Sequence, residues 1–322
     1  MLQQIFAPIK SEINRFNHSF GEIIHHEHFA IDEILLIISR YKGKQLRPAM
    51  VFLSAAIAGK ITPLTNTTAL VFELLHYSSL IHDDVIDNGQ KRHNHPTLNA
   101  TMGSKTAVLA GDFLLSKCMM LIAQSQNILL LEKISQTAQI MTTGELLQLV
   151  EPADTLISEE NYLQIVDCKT ASLISACFEM GVLSSQTDTK ASKQWGEFGR
   201  ELGIIFQLKD DLLDYLSGDF SQKDAHKDIH EHKFTLPVIA AIRQAPSNEQ
   251  KPFFDLYKSH QGMSDEIQYL IEKVISYGGI AYTEKMIEAK FENCIAFVKA
   301  QKDSMYKDAL QALVQFSRER KF

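Results

Sequence analysis

Apolar residues along this chain recur at three- and four-residue steps almost everywhere, and sustained two-residue alternation is hard to find. That period restricts the chain to helices. Prolines punctuate the pattern without interrupting it: Pro8, Pro48, Pro63, Pro152, Pro237, Pro246 and Pro252 fall where a helix can begin or a loop can turn. None occurs between Pro96 and Pro152 or between Pro152 and Pro237, so long helices are permitted there. The spacing predicts helices over 2–19, 28–41, 48–59, 64–88, 104–123, 127–150, 158–181, 189–217, 234–244, 249–259, 264–277, 279–301 and 304–318. No stretch is rich enough in Gly, Ser or Pro to serve as a linker. The 322 residues therefore read as a single large all-α domain, long enough to bury a sizeable core.

Two of these helices end against their own chemistry. Near position 80 the chain reads L-I-H-D-D-V-I-D-N-G, and further on Q-L-K-D-D-L-L-D-Y-L-S-G. Aspartate is a poor helix former, and its charge is disfavoured at a helix C-terminus, where the dipole is already negative. Residues i and i+4 lie about 40° apart around a helix, so Asp83 and Asp87 share a face, as do Asp210 and Asp214. Asp84 and Asp211 sit about 100° round and can reach a neighbouring ligand. Asn88-Gly89 and Ser217-Gly218 follow as helix stops.

One D-D-x-x-D alone reads as a solvated helix end. Two copies, each closing an apolar helix, need cations to offset the gathered charge. Carboxylate oxygens suit hard ions, and Mg²⁺ is usually held by a few carboxylates together with substrate phosphates. Lys44, Arg47, His76, Lys91-Arg92-His93, Lys223 and Lys233 lie near the triads in sequence and suit the other side of a polyanion.

Composition narrows the partners. A net charge of −7 argues against a nucleic-acid protein and fits no basic membrane anchor. Cys118, Cys168, Cys177 and Cys294 show no C-x-x-C spacing and are too sparse for a disulfide framework, which points to a reducing compartment. The N-terminal M-L-Q-Q-I-F-A-P-I-K lacks a signal-peptide core, and no apolar run approaches the ~20 residues of a membrane span. A cytoplasmic protein without an integral membrane segment is expected.

Taken together, these motifs resemble the trans-type polyprenyl diphosphate synthases. The match runs from G-K-Q-L-R-P at 43–48 through the two aspartate-rich motifs to the basic tail R-E-R-K-F. It includes G-D-F-L at 111–114, G-E-L-L-Q-L at 144–149, C-K-T-A at 168–171 and H-K-F-T-L-P at 232–237. The resemblance implies helices around a central cavity, a homodimer, and condensation of an allylic diphosphate with isopentenyl diphosphate. It implies Mg²⁺ bound by Asp83, Asp84, Asp87, Asp210, Asp211 and Asp214, with Asp211 the least direct. The resemblance further implies roughly three such ions per active site, with Mn²⁺ able to substitute.

By the same resemblance Arg92, Lys169, Lys223 and Lys233 hold the allylic diphosphate. Gly43, Lys44, Arg47, His76 and His93 form the isopentenyl diphosphate pocket, with Phe206 beside it and Arg318 or Arg320 closing over it. Oxygen dipoles of Thr170 and Gln207, next to Lys169, stabilise a carbocation, and the released diphosphate takes the final proton.

Two positions depart from the family. His93 stands where a second arginine is usual, and neutral imidazole lacks the forked charge of guanidinium. His226 replaces a customary glycine. Product length is expected to follow the face of the first aspartate helix: Ser78 and Ser79 stand where short-chain members carry a bulky aromatic, with Leu75 and then Phe72 as the next wall positions. Small hydroxyls there predict medium-to-long products. A terpene cyclase shares one aspartate-rich motif but mixes Asn, Ser or Thr, and Glu in its second metal site. A non-catalytic subunit of a heteromeric synthase typically lacks the aspartates.

Overall fold

Where a proline removes a donor or a glycine turns left-handed, helices in this chain begin, bend or stop. The structure is a computed structural model and describes residues 1–39, 43–92, 95–151, 155–185, 188–216 and 226–320. The first helices are α1 (Leu2–Phe6), α2 (Lys10–Ile23), α3 (Phe29–Ser39), α4 (Leu46–Ala58) and α5 (Pro63–Ile86). A short antiparallel hairpin, β1 (Lys91–Arg92) with β2 (His95–Pro96), leads into α6 (Leu98–Ser125) and α7 (Ile128–Val150). Next, α8 (Glu159–Val166) runs through a π-helical turn, Asp167–Ala171, into α9 (Ser172–Ser185). Then come α10 (Thr189–Leu216), α11 (Lys227–His230), α12 (Leu236–Gln244) and α13 (Ser247–Ser259). The last three are α14 (Ser264–Ser276), α15 (Gly279–Lys299) and α16 (Met305–Glu319).

The all-α expectation holds, and the differences have local causes. The predicted first helix is broken by a 3₁₀ turn at Ala7–Ile9, where Pro8 lacks an amide hydrogen. α6 starts earlier than predicted because the Thr97 hydroxyl caps it by accepting from the Ala100 amide at 3.0 Å. Gly103 absorbs the ensuing bend at φ 79°. Pro252 lies inside α13, which begins at Ser247. Among the described residues α6 alone is long and apolar enough, by length and composition, to cross a membrane, and a third of its most apolar window is buried.

The chain forms two compact units. The first comprises Met1–Gln139, Leu173–Gly199 and Gln301–Ala312; the second comprises Ile140–Ser172, Arg200–Ala300 and Leu313–Phe322. Within the first, α5 packs most extensively on α6 and also on α4. Phe52, Leu53, Phe72, Leu74 and Leu114 are buried in its core. The Ser78 hydroxyl donates to the Gly111 carbonyl at 2.9 Å, tying α5 to α6 ahead of the first triad. A Cβ on Gly111 would come within 2.3 Å of the His82 ring, so a larger residue there would have to displace that ring.

Within the second unit, α12 packs on α13, α14 and α15. Tyr215, Ile229, Val238, Phe253, Tyr257 and Leu270 form its core. Tyr257 is fully buried and donates its hydroxyl to the Lys233 carbonyl at 2.8 Å, so this core fixes the backbone of a site residue. At the start of α15, a Cβ on Gly279 would stand 2.0 Å from the Pro237 carbonyl oxygen. Backbone cannot yield there as a flexible side chain does. Gly279→Ala should destabilise the protein by about 1–3 kcal/mol, read as a lower urea midpoint at unchanged m-value.

Candidate active site

In the first unit, the end of α5 presents its three aspartates in three different environments. Asp87 terminates the helix, Asn88 turns left-handed at φ 49°, and the Gly89 amide bonds the Asp84 carbonyl at 2.9 Å. This is a Schellman stop with asparagine, not glycine, as the left-handed residue. Gly89 serves instead by close approach, since a Cβ there would be 3.2 Å from the Asp84 carboxylate. Asp83 is half-buried and Asp87 exposed. Asp84 is buried, and the guanidinium of Arg92 on β1 grips it with Nη2 at 2.8 Å and Nε at 3.1 Å. The expected magnesium ligand Asp84 and the expected diphosphate ligand Arg92 therefore hold each other.

Of the expected isopentenyl diphosphate residues, Gly43, Lys44, Arg47 and His76 lie on or just ahead of α4 and α5 of the same unit, whereas Phe206 lies on α10 of the second. Gly43 and Lys44 are exposed ahead of α4, whose entry residue Gln45 is left-handed at φ 53°, while Arg47 and His76 are half-buried. The Gly43 amide reaches the Tyr77 hydroxyl. Beneath them lies Glu73, which the sequence reading passed over. Burial pushes its carboxyl up to about 7, and the charge of Arg47 pulls against that. Its signal in the sequence was one acid inside the apolar run V-F-E-L-L. Among the expected chain-length residues, Phe72, Leu75 and Ser78 are buried, whereas Ser79 is half-buried with its hydroxyl on the His76 carbonyl at 2.9 Å. His93, Lys223 and Ser217-Gly218 lie outside the described residues.

The second unit concentrates the rest. A cavity of about 560 Å³ is lined by Lys169, Thr170, Gln207, Asp211, Asp228 and Lys233 among others. Lys169 and Thr170 project from the π-helical turn, a widened geometry frequent at functional positions. α10 approaches this turn through Gly203, where a Cβ would come within 2.5 Å of the Ala171 Cα. Lys169 Nζ reaches Glu145 and Gln148 on α7, both at 2.6 Å. The Thr170 hydroxyl donates to Gln207 Oε1 at 2.9 Å, and Gln207 Nε2 donates to Asp211 Oδ1 at 3.0 Å. Tyr162, also in the wall, donates to Asp211 Oδ2. Burial and then Asp211 push its phenol far above the usual range, so it remains a donor.

The second triad is also differentiated. Asp210 is exposed and pairs with Arg320 at 2.7 Å. Arg320 stacks on the Phe206 ring at 3.6 Å, whereas Arg318 pairs with Glu288 at 3.0 Å and stacks on Phe291. Of the two C-terminal arginines, Arg320 is thus the one at Phe206. Asp214 accepts the amides of Lys227 at 2.7 Å and Asp228 at 3.0 Å, capping α11. His226 occupies the left-handed region at φ 56°, which explains why a glycine suits that position, and its Nδ1 meets the Asp214 carbonyl at 2.7 Å.

Charge is in conflict here. Burial and then Asp228 push the Asp211 carboxyl up to about 8. Burial and then Asp214 push Asp228 up to about 7, with Lys233 opposing. Burial also raises Asp214 against its amide donors Asp228, Lys227 and Ile229. Among the described residues no three His, Cys, Asp or Glu side chains form a ready-made metal cluster. The triads nevertheless offer only hard carboxylate oxygens, and those of the second unit oppose one another's ionisation. That set fits a hard divalent cation arriving with phosphate oxygens.

The polyprenyl synthetase family model matches residues 29–274. The chain is 31% identical over 324 residues to the all-trans-nonaprenyl-diphosphate synthase (geranyl-diphosphate specific) of Rhodobacter capsulatus, covering 99% of this chain and 98% of that one. It is 29% identical to the octaprenyl diphosphate synthase of Escherichia coli K12, covering 86% of each. In three dimensions it is similar to a polyprenyl synthase of Caulobacter crescentus CB15 crystallised with calcium and isoprenyl diphosphate. That likeness has TM-score 0.91 at 26% identity, over 100% of this chain and 98% of the other.

The buried ion pair generates a stability prediction. Arg92→Ala leaves the Asp84 carboxylate buried beside no guanidinium and should cost about 3 kcal/mol in urea unfolding. Adding Asp84→Asn should recover most of it, and a simple sum of the two single losses would show that the pair is not coupled.

Proposed function

The chain belongs to the polyprenyl synthetase family, and we propose that it condenses an allylic diphosphate repeatedly with isopentenyl diphosphate to make medium-to-long all-trans polyprenyl diphosphates. The observation that carries this reading is the gathering of Lys169, Thr170, Gln207, Asp211 and Lys233 on one cavity wall. Lys169 and Lys233 hold the allylic diphosphate as their present carboxylate partners yield to it, and Lys223 and Arg92 are assigned the same task. Mg²⁺, the divalent cation we assign to Asp83, Asp84, Asp87, Asp210, Asp211 and Asp214, would when bound neutralise charge developing on the departing diphosphate. Thr170 and Gln207 turn oxygen dipoles toward the allylic carbon. Gly43, Lys44, Arg47, His76, His93 and Phe206 orient isopentenyl diphosphate, with Arg320 over Phe206, so that attack is chiefly a matter of positioning. The released diphosphate takes the proton, so no protein base is required. We treat the whole chain as one catalytic domain.

The purified protein given isopentenyl diphosphate, a farnesyl primer and Mg²⁺ should form polyprenyl diphosphates, and Asp83→Ala or Asp210→Ala should lower turnover by orders of magnitude, about 10²-fold or more. Full turnover in excess chelator would refute the metal assignment. For product length we favour Ser79 as the more informative wall position, because Ser78 is occupied with Gly111. Ser79→Phe should shorten the product and Phe72→Ala lengthen it. A farnesyl end product from the unaltered chain would refute the length assignment.

We further propose a homodimer formed through α6, on which Leu109 is 69% and Met120 59% exposed on one face. Sedimentation should show a dimer that Leu109→Lys with Met120→Lys converts to monomer; a dimer surviving both changes would place the interface elsewhere. All four cysteines are free, three of them buried, which supports a cytoplasmic site of action.

A further inference from the structure

Asp211 differs from the other aspartates of its triad in having both carboxylate oxygens committed inside the protein. It is 2% exposed, with Tyr162 on Oδ2 and Gln207 Nε2 on Oδ1 at 3.0 Å. Tyr162 is buried as well, and the Leu236 amide bonds its hydroxyl. Leu236 is the first residue of α12, so this amide has no acceptor within its own helix. A relay therefore begins at a helix N-terminus and runs from the Leu236 amide through the Tyr162 hydroxyl and the Asp211 carboxylate to the Gln207 amide. It ends at the Thr170 hydroxyl, 2.9 Å from Gln207 Oε1.

Each link fixes the direction of the next. With Leu236 donating to it, the Tyr162 oxygen turns its own proton to Asp211. Both Asp211 oxygens accept, Oδ2 from Tyr162 and Oδ1 from Gln207 Nε2 at 3.0 Å, so Gln207 holds its NH₂ group toward Asp211. The Gln207 carbonyl then faces Thr170, whose single hydroxyl proton is spent on that carbonyl. What remains for the cavity is oxygen lone pairs, one set on Thr170 and one on Gln207. A reversed Gln207 amide would present N–H hydrogens instead, the wrong sign for a carbon acquiring positive charge.

We propose that Tyr162 and Asp211 are positioning residues that set the polarity of the Thr170–Gln207 oxygen pair, and that Asp211 acts through Gln207 more than through metal. This deepens the prenyltransferase reading above and rests on it. The role is electrostatic preorganisation: donors and acceptors already aimed when charge develops cost no reorientation during reaction. It also accounts for an aspartate at the second position of a metal-binding triad that is buried beside a tyrosine while Asp210 is exposed and Asp214 half-buried.

The test is steady-state kinetics of single condensation on the full chain, with farnesyl diphosphate as primer and Mg²⁺ varied. Tyr162→Phe should lower kcat about tenfold, the value of one hydrogen bond to a charged group, with both KM values within about twofold. Asp211→Asn can present its own NH₂ to Gln207 and so permits the reversed amide. It should lower kcat about a hundredfold while the Mg²⁺ concentration for half-maximal rate stays within about twofold of the unaltered chain. In a Gln207→Leu background, adding Tyr162→Phe should cost nothing further, because the relay is already cut.

Wild-type kcat in Tyr162→Phe would overturn the proposal. So would a several-fold higher Mg²⁺ requirement in Asp211→Asn, or additive losses in the double variant. Should Tyr162→Phe melt below the assay temperature, Asp211→Asn and its Mg²⁺ titration decide alone. An unaltered chain that transfers no prenyl group would remove the underlying reaction, a result distinct from any of these.

Discussion

Carboxylates at the carbonyl end of a helix meet repulsion from the dipole and from one another, and much of this protein's local structure answers that repulsion. Each answer is different. Asp84 is gripped by Arg92, Asp210 by Arg320, and Asp211 by a tyrosine and an amide. Asp214 receives backbone amides from the single turn of α11. Identical letters in two D-D-x-x-D motifs thus become six inequivalent groups. The exposed or half-buried positions, Asp83, Asp87, Asp210 and Asp214, are the ones with geometry suited to meeting a ligand from solvent.

The helices were legible because their causes are local. Three- and four-residue periodicity, proline at helix starts and the long proline-free stretches gave the element order and most boundaries. What escaped also had local causes too subtle for periodicity. The π-helical turn adds a residue to a helical turn without altering the apolar pattern around it, so 158–181 read as one uninterrupted helix. The bend at Gly103 hid six residues of α6 from a reading that began the helix after it. The apolar character of α6 was diluted, to the eye, by Lys105, Asp112 and Lys117, yet its hydropathy over 18 residues reaches that of a membrane span. Composition alone cannot say which face of such a helix is covered.

The candidate site residues were chosen by type and by motif, and neither reveals what each side chain packs against. Arg320 and Phe206 are 114 positions apart, Tyr162 and Asp211 are 49 apart, and Thr170 and Gln207 are 37 apart. Only packing brings them together, and no spacing rule reaches that far. The odd residue His226 illustrates the same point from the other side. Its sequence position suggests glycine because the backbone is left-handed there, but the imidazole recovers part of the strain by bonding the Asp214 carbonyl. His232 repeats the device at φ 54°, with its ring 4.3 Å from that of His260 and its edge in the cavity wall.

The charge balance of the second unit explains why a polyanion needs company there. Lys169 is already paired with Glu145, Lys233 with Glu231, and Arg320 with Asp210. Lys169 and Lys233 are therefore each matched by an acid before any ligand arrives, and Asp211 and Asp228, both raised by burial and a neighbouring acid, line the same cavity as an excess of acidic groups among the described residues. A bare diphosphate entering this site would add its own charge to that excess. To do so it would displace Glu145 and Glu231 from the lysines, returning two carboxylates to solvent. A diphosphate carrying divalent cations would reverse the balance, since the cations would suit the aspartates while its oxygens would suit the lysines. Ligand and metal are then favoured only together, which ties recognition of the diphosphate to the same ions that help it depart.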